Sequence, residues 1–151
     1  MVSLSARITT ALKTAVRREE RTSEVYREKA KRMKDPKARD ILESLARQEE
    51  VHAAKIQRVL ERGDMAILGK RKGLSLFEGL SLKNDDVRKM GKETEAAKVI
   101  RDAVKAEENS YRFYTGLAKL SKGLDVADLF TRLADEELKH KARLKGVLVR
   151  L

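Results

Sequence analysis

The chain matches itself at a fixed offset. The stretch Arg18 to Tyr26 lies over Ala106 to Tyr114, and Leu45 to His52 lies over Leu133 to His140, both at a separation of 88 residues. The register continues through Val59 with Val147 and Leu60 with Leu148. One gapless offset across two well-separated stretches means that a whole supersecondary unit has been duplicated. Whatever the first half folds into, the second half must fold into as well.

The repeated unit reads as a helical hairpin. Apolar positions recur at helical spacing over four segments, near 3–33, 37–62, 93–121 and 124–150. Asp35-Pro36 separates the first pair, because proline disfavours a helical residue before it. Lys122-Gly123 separates the second pair. No alternating strand pattern appears. Two such hairpins make an all-α four-helix bundle, and we expect the 151 residues to form a single domain. Its halves are 1–62 and 93–151, joined by a long crossover over 63–92. The crossover holds five of the eight glycines, yet Met65 to Leu68 and Leu74 to Leu82 are apolar. It is expected to pack along the bundle, with a short helix after Asn84-Asp85-Asp86.

Each apolar stripe is interrupted by a glutamate. These are Glu19, Glu49, Glu107 and Glu137. A carboxylate facing a core must neutralise, pair or bind a cation. The chain has two histidines, and each follows such a glutamate by three residues: Glu49 to His52 and Glu137 to His140. That spacing puts both side chains on one helix face. Glu19 and Glu49 each lie about 20 Å along the helix from the intervening turn, so an antiparallel hairpin returns them to one level. The same holds for Glu107 and Glu137. Six donors can therefore meet in mid-bundle, and two divalent cations would balance the four carboxylates. Glu20, Glu50, Glu108 and Glu136 form a competing register nearer the stripe edges.

Tyr26 and Tyr114 lie two turns after Glu19 and Glu107. They either pack in the core or donate a hydrogen bond to a ligating carboxylate; in the second case they are candidate catalytic residues. Gln48 and Glu136, each four residues before a histidine, could orient an imidazole across the bundle.

Composition removes other chemistries. No cysteine is present, which excludes disulfides, iron–sulfur clusters, thiol nucleophiles and a rubredoxin-type iron site within these residues. No run is long and apolar enough for a membrane span, nor does the N-terminus read as a signal peptide, so a cytoplasmic protein is expected. The net charge of +11 is spread evenly, as on a solvated lysine- and arginine-rich surface. A basic helical module that binds nucleic acid would leave the four core glutamates unexplained.

At these residues the chain resembles the rubrerythrin and ferritin-like diiron family. The motifs are Glu19 … Tyr26, Glu49-Glu50-Val51-His52, Glu107 … Tyr114 and Glu137-Leu138-Lys139-His140. The resemblance implies a ferritin-like bundle holding two iron ions, with manganese or zinc as possible substitutes. It implies that Glu49 and Glu137 bridge the metals, that Glu19 and Glu107 are terminal, and that His52 and His140 bind one metal each. It further implies reaction with peroxide or dioxygen, with ferritin-like ferroxidase or iron storage as the alternative. With no cysteine, electrons must come from a separate donor such as a rubredoxin-like protein. A homodimer is expected, and the crossover is a candidate for swapping between chains. The chain departs from rubrerythrins at Ser110, where they carry a further glutamate, and so looks closer to a bacterioferritin-like or stand-alone centre.

Overall fold

The computed structural model describes residues 4–62 and 94–151. Four helices account for nearly all of them: α1 (Leu4–Arg32), α2 (Pro36–Arg62), α3 (Glu95–Leu120) and α4 (Val126–Leu148). No strand occurs among the described residues. The all-α four-helix reading holds, with helix ends within a few residues of those expected. The expected crossover and the short helix expected after Asn84-Asp85-Asp86 lie outside the described residues.

The turns show why the helices stop where they do. Asp35 Oδ1 accepts a hydrogen bond from the Ala38 amide at 2.9 Å, which caps α2. Pro36 follows as the first helical residue, where its missing N–H is not needed. Thr94 Oγ1 caps α3 in the same way, 3.0 Å from the Ala97 amide. The second hairpin turns differently. Ser121 Oγ donates to the Leu117 carbonyl at 2.7 Å, and Gly123 adopts φ +88°, a left-handed conformation that suits glycine.

Packing is closest within each hairpin, α1 on α2 and α3 on α4, with α2 on α4 and α1 on α3 closing the bundle. The apolar core forms two clusters. One contains Leu12, Ala15, Val16, Ile56, Tyr114, Leu129, Phe130 and Leu133. The other contains Ile100, Ala103, Val104, Leu144, Tyr26, Ile41, Leu42 and Leu45. Adding or subtracting 88 converts each set into the other, residue by residue. The two halves are therefore related by a pseudo-dyad across the bundle. Each cluster draws on both hairpins, so neither hairpin completes a core alone. α2 ends beside the first cluster and α3 begins beside the second.

Candidate metal centre

Between the two apolar clusters lies a buried polar layer. Glu137 is 0% exposed, Glu49, Glu107 and His140 are 1%, Glu19 is 3% and His52 is 4%. All six expected donors are thus inside, one carboxylate per helix, with the histidines on α2 and α4. The competing register points elsewhere. Glu20 and Glu50 are exposed, and Glu108 and Glu136 are partly so. Glu50 pairs with Arg27 and accepts from Ser23 Oγ at 3.2 Å. Glu108 pairs with Arg112 at 3.1 Å, and Glu136 with Lys139 at 3.3 Å.

The six donors form two overlapping groups. Glu19, Glu49, His52 and Glu137 bring one ligand atom each to within 4.8 Å of one another, and so do Glu49, Glu107, Glu137 and His140. Glu49 and Glu137 belong to both groups, as two bridging carboxylates would. The imidazoles stack with centroids 5.5 Å apart and planes 10° from parallel. Each turns Nδ1 toward the carboxylates. His52 Nδ1 lies 3.1 Å from Glu137 Oε1 and 3.6 Å from Glu19 Oε1. His140 Nδ1 lies 2.9 Å from Glu49 Oε1 and 3.5 Å from Glu107 Oε2.

These short distances are not aligned hydrogen bonds. Glu49 Oε1, Glu107 Oε2, both oxygens of Glu137 and both Nδ1 atoms lack a hydrogen-bond partner. Buried polar atoms are rarely left so. Lone pairs crowded together and aimed at common points, rather than at each other's protons, fit cations. Four carboxylates against two divalent ions also balance in charge, and oxygen donors with imidazole suit iron or manganese. The residues present fit a dinuclear metal centre.

The tyrosines reach across the dyad. Tyr26 Oη donates to Glu107 Oε1 at 2.8 Å, and Tyr114 Oη donates to Glu19 Oε1 at 2.5 Å. Each bond is to one of the expected ligating carboxylates, and it joins opposite halves of the chain. One oxygen of each glutamate is held by a phenol, and for Glu107 the other is the unpartnered one. Burial, then the facing carboxylate, raises both phenol pKa values, so both remain proton donors.

Electrostatics report the same crowding. Burial and adjacent Glu49 push Glu19 up to about 8. Burial also works against the charge on Glu49, but close approach of Glu19, His140 and His52 outweighs it and holds Glu49 below the usual range. The pair behaves as two buried carboxylates that share a proton. Burial and then Glu107 raise Glu137 well above the ordinary value. Burial opposes charge on the histidines, yet the carboxylates prevail: Glu137 and Glu19 help push His52 up to about 12, and Glu107 and Glu49 push His140 up to about 9. Protons and metal ions compete for the same lone pairs here.

One feature was not anticipated from sequence. Lys141 is 7% exposed and reaches Glu108 Oε1 at 3.8 Å. The signal was present as a break in the repeat, since the matching residue is Ala53. Gln48 and Glu136 are both partly buried, but Glu136 alone joins a grouping with the two histidines.

Among the described residues, no helix is long and apolar enough to cross a membrane. A family model described as Rubrerythrin matches residues 4–72 and 98–151. No curated protein and no solved structure gave a match.

Proposed function

The chain belongs to the rubrerythrin family, and from that premise we propose that it is a diiron oxidoreductase, binding two irons and reducing hydrogen peroxide or dioxygen. The observation that supports this most directly is the set of six buried donors with unpartnered lone pairs. Two irons held there would supply the electrons by cycling between diferrous and diferric states. Glu49 and Glu137 would bridge them, Glu19 and His52 would complete one site, and Glu107 and His140 the other.

The protein's own groups do the rest. Tyr26 and Tyr114 each fix one oxygen of a terminal glutamate, leaving the second free to bind. Apolar clusters on both sides keep bulk water out and lower the local dielectric, which strengthens charge interactions at the centre. The phenols are also uncharged proton donors in direct contact with the terminal carboxylates. Electrons come from a separate donor such as a rubredoxin-like protein, because these 151 residues contain no cysteine.

Ser110 favours a second reading, a ferroxidase, because the resemblance leads one to expect a further glutamate there. Anaerobic Fe(II) titration followed by mixing with peroxide or dioxygen separates the two. Two irons per chain, oxidised faster by peroxide, support the first reading; faster oxidation by dioxygen with release of Fe(III) supports the second. Binding of two irons per chain that survives combined Glu49→Ala and Glu137→Ala rules out both.

A further inference from the structure

A third group of donors lies outside the six. One nitrogen from each of His52 and His140 and a carboxylate oxygen of Glu136 lie within 4.8 Å of one another. Two histidines and one carboxylate, with a position left for water, are the donor set of a three-ligand zinc-type site. Helix geometry accounts for the placement. Residues on α4 advance by about 100° each, so His140 lies angularly between Glu137 and Glu136. Glu137 flanks the ring on the side of the polar layer, and Glu136 flanks it on the other. The repeat supplies Gln48 at the matching position, so only one half contributes a carboxylate.

Two further observations point to a ligand. His140 is 1% exposed, and its Nε2 has no hydrogen-bond partner. A buried ring nitrogen of that kind is costly unless something binds it. Access is the other. The six inner donors are 0–4% exposed, whereas the Glu136 side chain is 43% exposed. Among these seven donors, Glu136 is the one that water reaches. Its pairing with Lys139 at 3.3 Å is a half-exposed contact, of the kind that an ion readily displaces.

We propose that His52, His140 and Glu136 form an outer divalent-cation site through which the dinuclear centre is loaded. This rests on the diiron reading, because the outer site has that purpose only if an inner one exists. A neutral imidazole has one lone pair. A ring that binds outward through Nε2 cannot also bind inward through Nδ1. The ion is therefore handed over, and the ring proton moves from Nδ1 to Nε2 as it passes. A tightly held outer ion such as zinc blocks loading of the inner centre.

Cobalt(II) is the probe, because its visible absorption reports coordination geometry. In Glu49→Gln with Glu137→Gln, shown by circular dichroism to be folded, we expect one Co(II) per chain with a tetrahedral-type spectrum. Adding Glu136→Ala should weaken that binding by at least about tenfold, the loss typical when a metal's supporting group is removed. In the otherwise intact chain, Glu136→Ala should slow Fe(II) uptake in stopped flow by about tenfold while two irons still bind. A folded double variant that binds no Co(II), or binds it equally well once Glu136→Ala is added, overturns the outer site. Unchanged uptake with two irons bound overturns it alone and leaves the dinuclear centre standing. A wild-type chain that takes up no Fe(II) overturns both.

Discussion

Tyr26 and Tyr114 carry no charge, yet each fixes one oxygen of a buried glutamate on the opposite half. Tyr114→Phe keeps the ring and removes the donor to Glu19. We expect Fe(II) affinity to fall by about 10- to 100-fold, read by anaerobic titration, and Tyr26→Phe to give a matching loss through Glu107. Equal affinity in wild type and both variants would show that the phenols only fill space. The spacing of these residues was legible in the sequence; the crossing of their bonds was not, because it depends on how two hairpins face each other. Protons give a second test. In chelator-treated protein, the Glu19 pKa is raised from 4.5 to about 8 and the His140 pKa from 6.5 to about 9. A raised value means the folded state binds the proton more tightly. The His140 contribution is full below 6.5 and lost as pH rises through about 9, and Glu19 acts in the same direction from 4.5 to about 8. The depressed Glu49 acts the other way, at acid pH below this window. The urea midpoint of metal-free protein should therefore fall between pH 6.5 and 9, and a rise over that range would contradict the assignment.

At the scale of the helices, the two hairpins solve one turning problem by different means. The first relies on Asp35 and Pro36, the second on Ser121 and a left-handed Gly123. Asp35→Ala removes a cap and should cost about 1 kcal/mol. Gly123→Ala should also cost about 1 kcal/mol, and for a backbone reason alone, since a Cβ there meets nothing within 4 Å. Gly116 provides the contrast. It too has open space around it, but it lies inside α3 on an exposed face, so Gly116→Ala should stabilise by about 0.5–1 kcal/mol. Urea midpoints of the two glycine variants should move in opposite directions; shifts of the same sign would refute the backbone argument. The helices themselves were readable because apolar periodicity, an Asp-Pro pair and a Lys-Gly pair all mark boundaries locally. Lys141 was not, because a buried lysine looks like a surface one until its partner Glu108, on another helix, is placed beside it.

For the molecule as a whole, the polar layer joins two cores that each need both hairpins. Metal that binds only the folded arrangement must then stabilise all of it together. At a free concentration about one hundred times Kd, each site should add about 2.7 kcal/mol. Calorimetry should show a single transition moving to higher temperature with Fe(II) or Co(II), and a smaller shift in Glu49→Ala with Glu137→Ala. The four core glutamates and two histidines were readable as one site because the same pattern occurs twice, and chance does not place two rare histidines at one offset. The donor grouping around Glu136 was beyond such reading, since it depends on which side of an imidazole a neighbouring carboxylate lies. The pseudo-dyad also has a practical use. Every core residue named in one half has a counterpart 88 positions away in nearly the same surroundings, so the molecule contains its own control. A substitution made at either member of a pair, Ala53 or Lys141 for instance, measures what the two halves have come to do differently, with fold, solvent and metal content held constant.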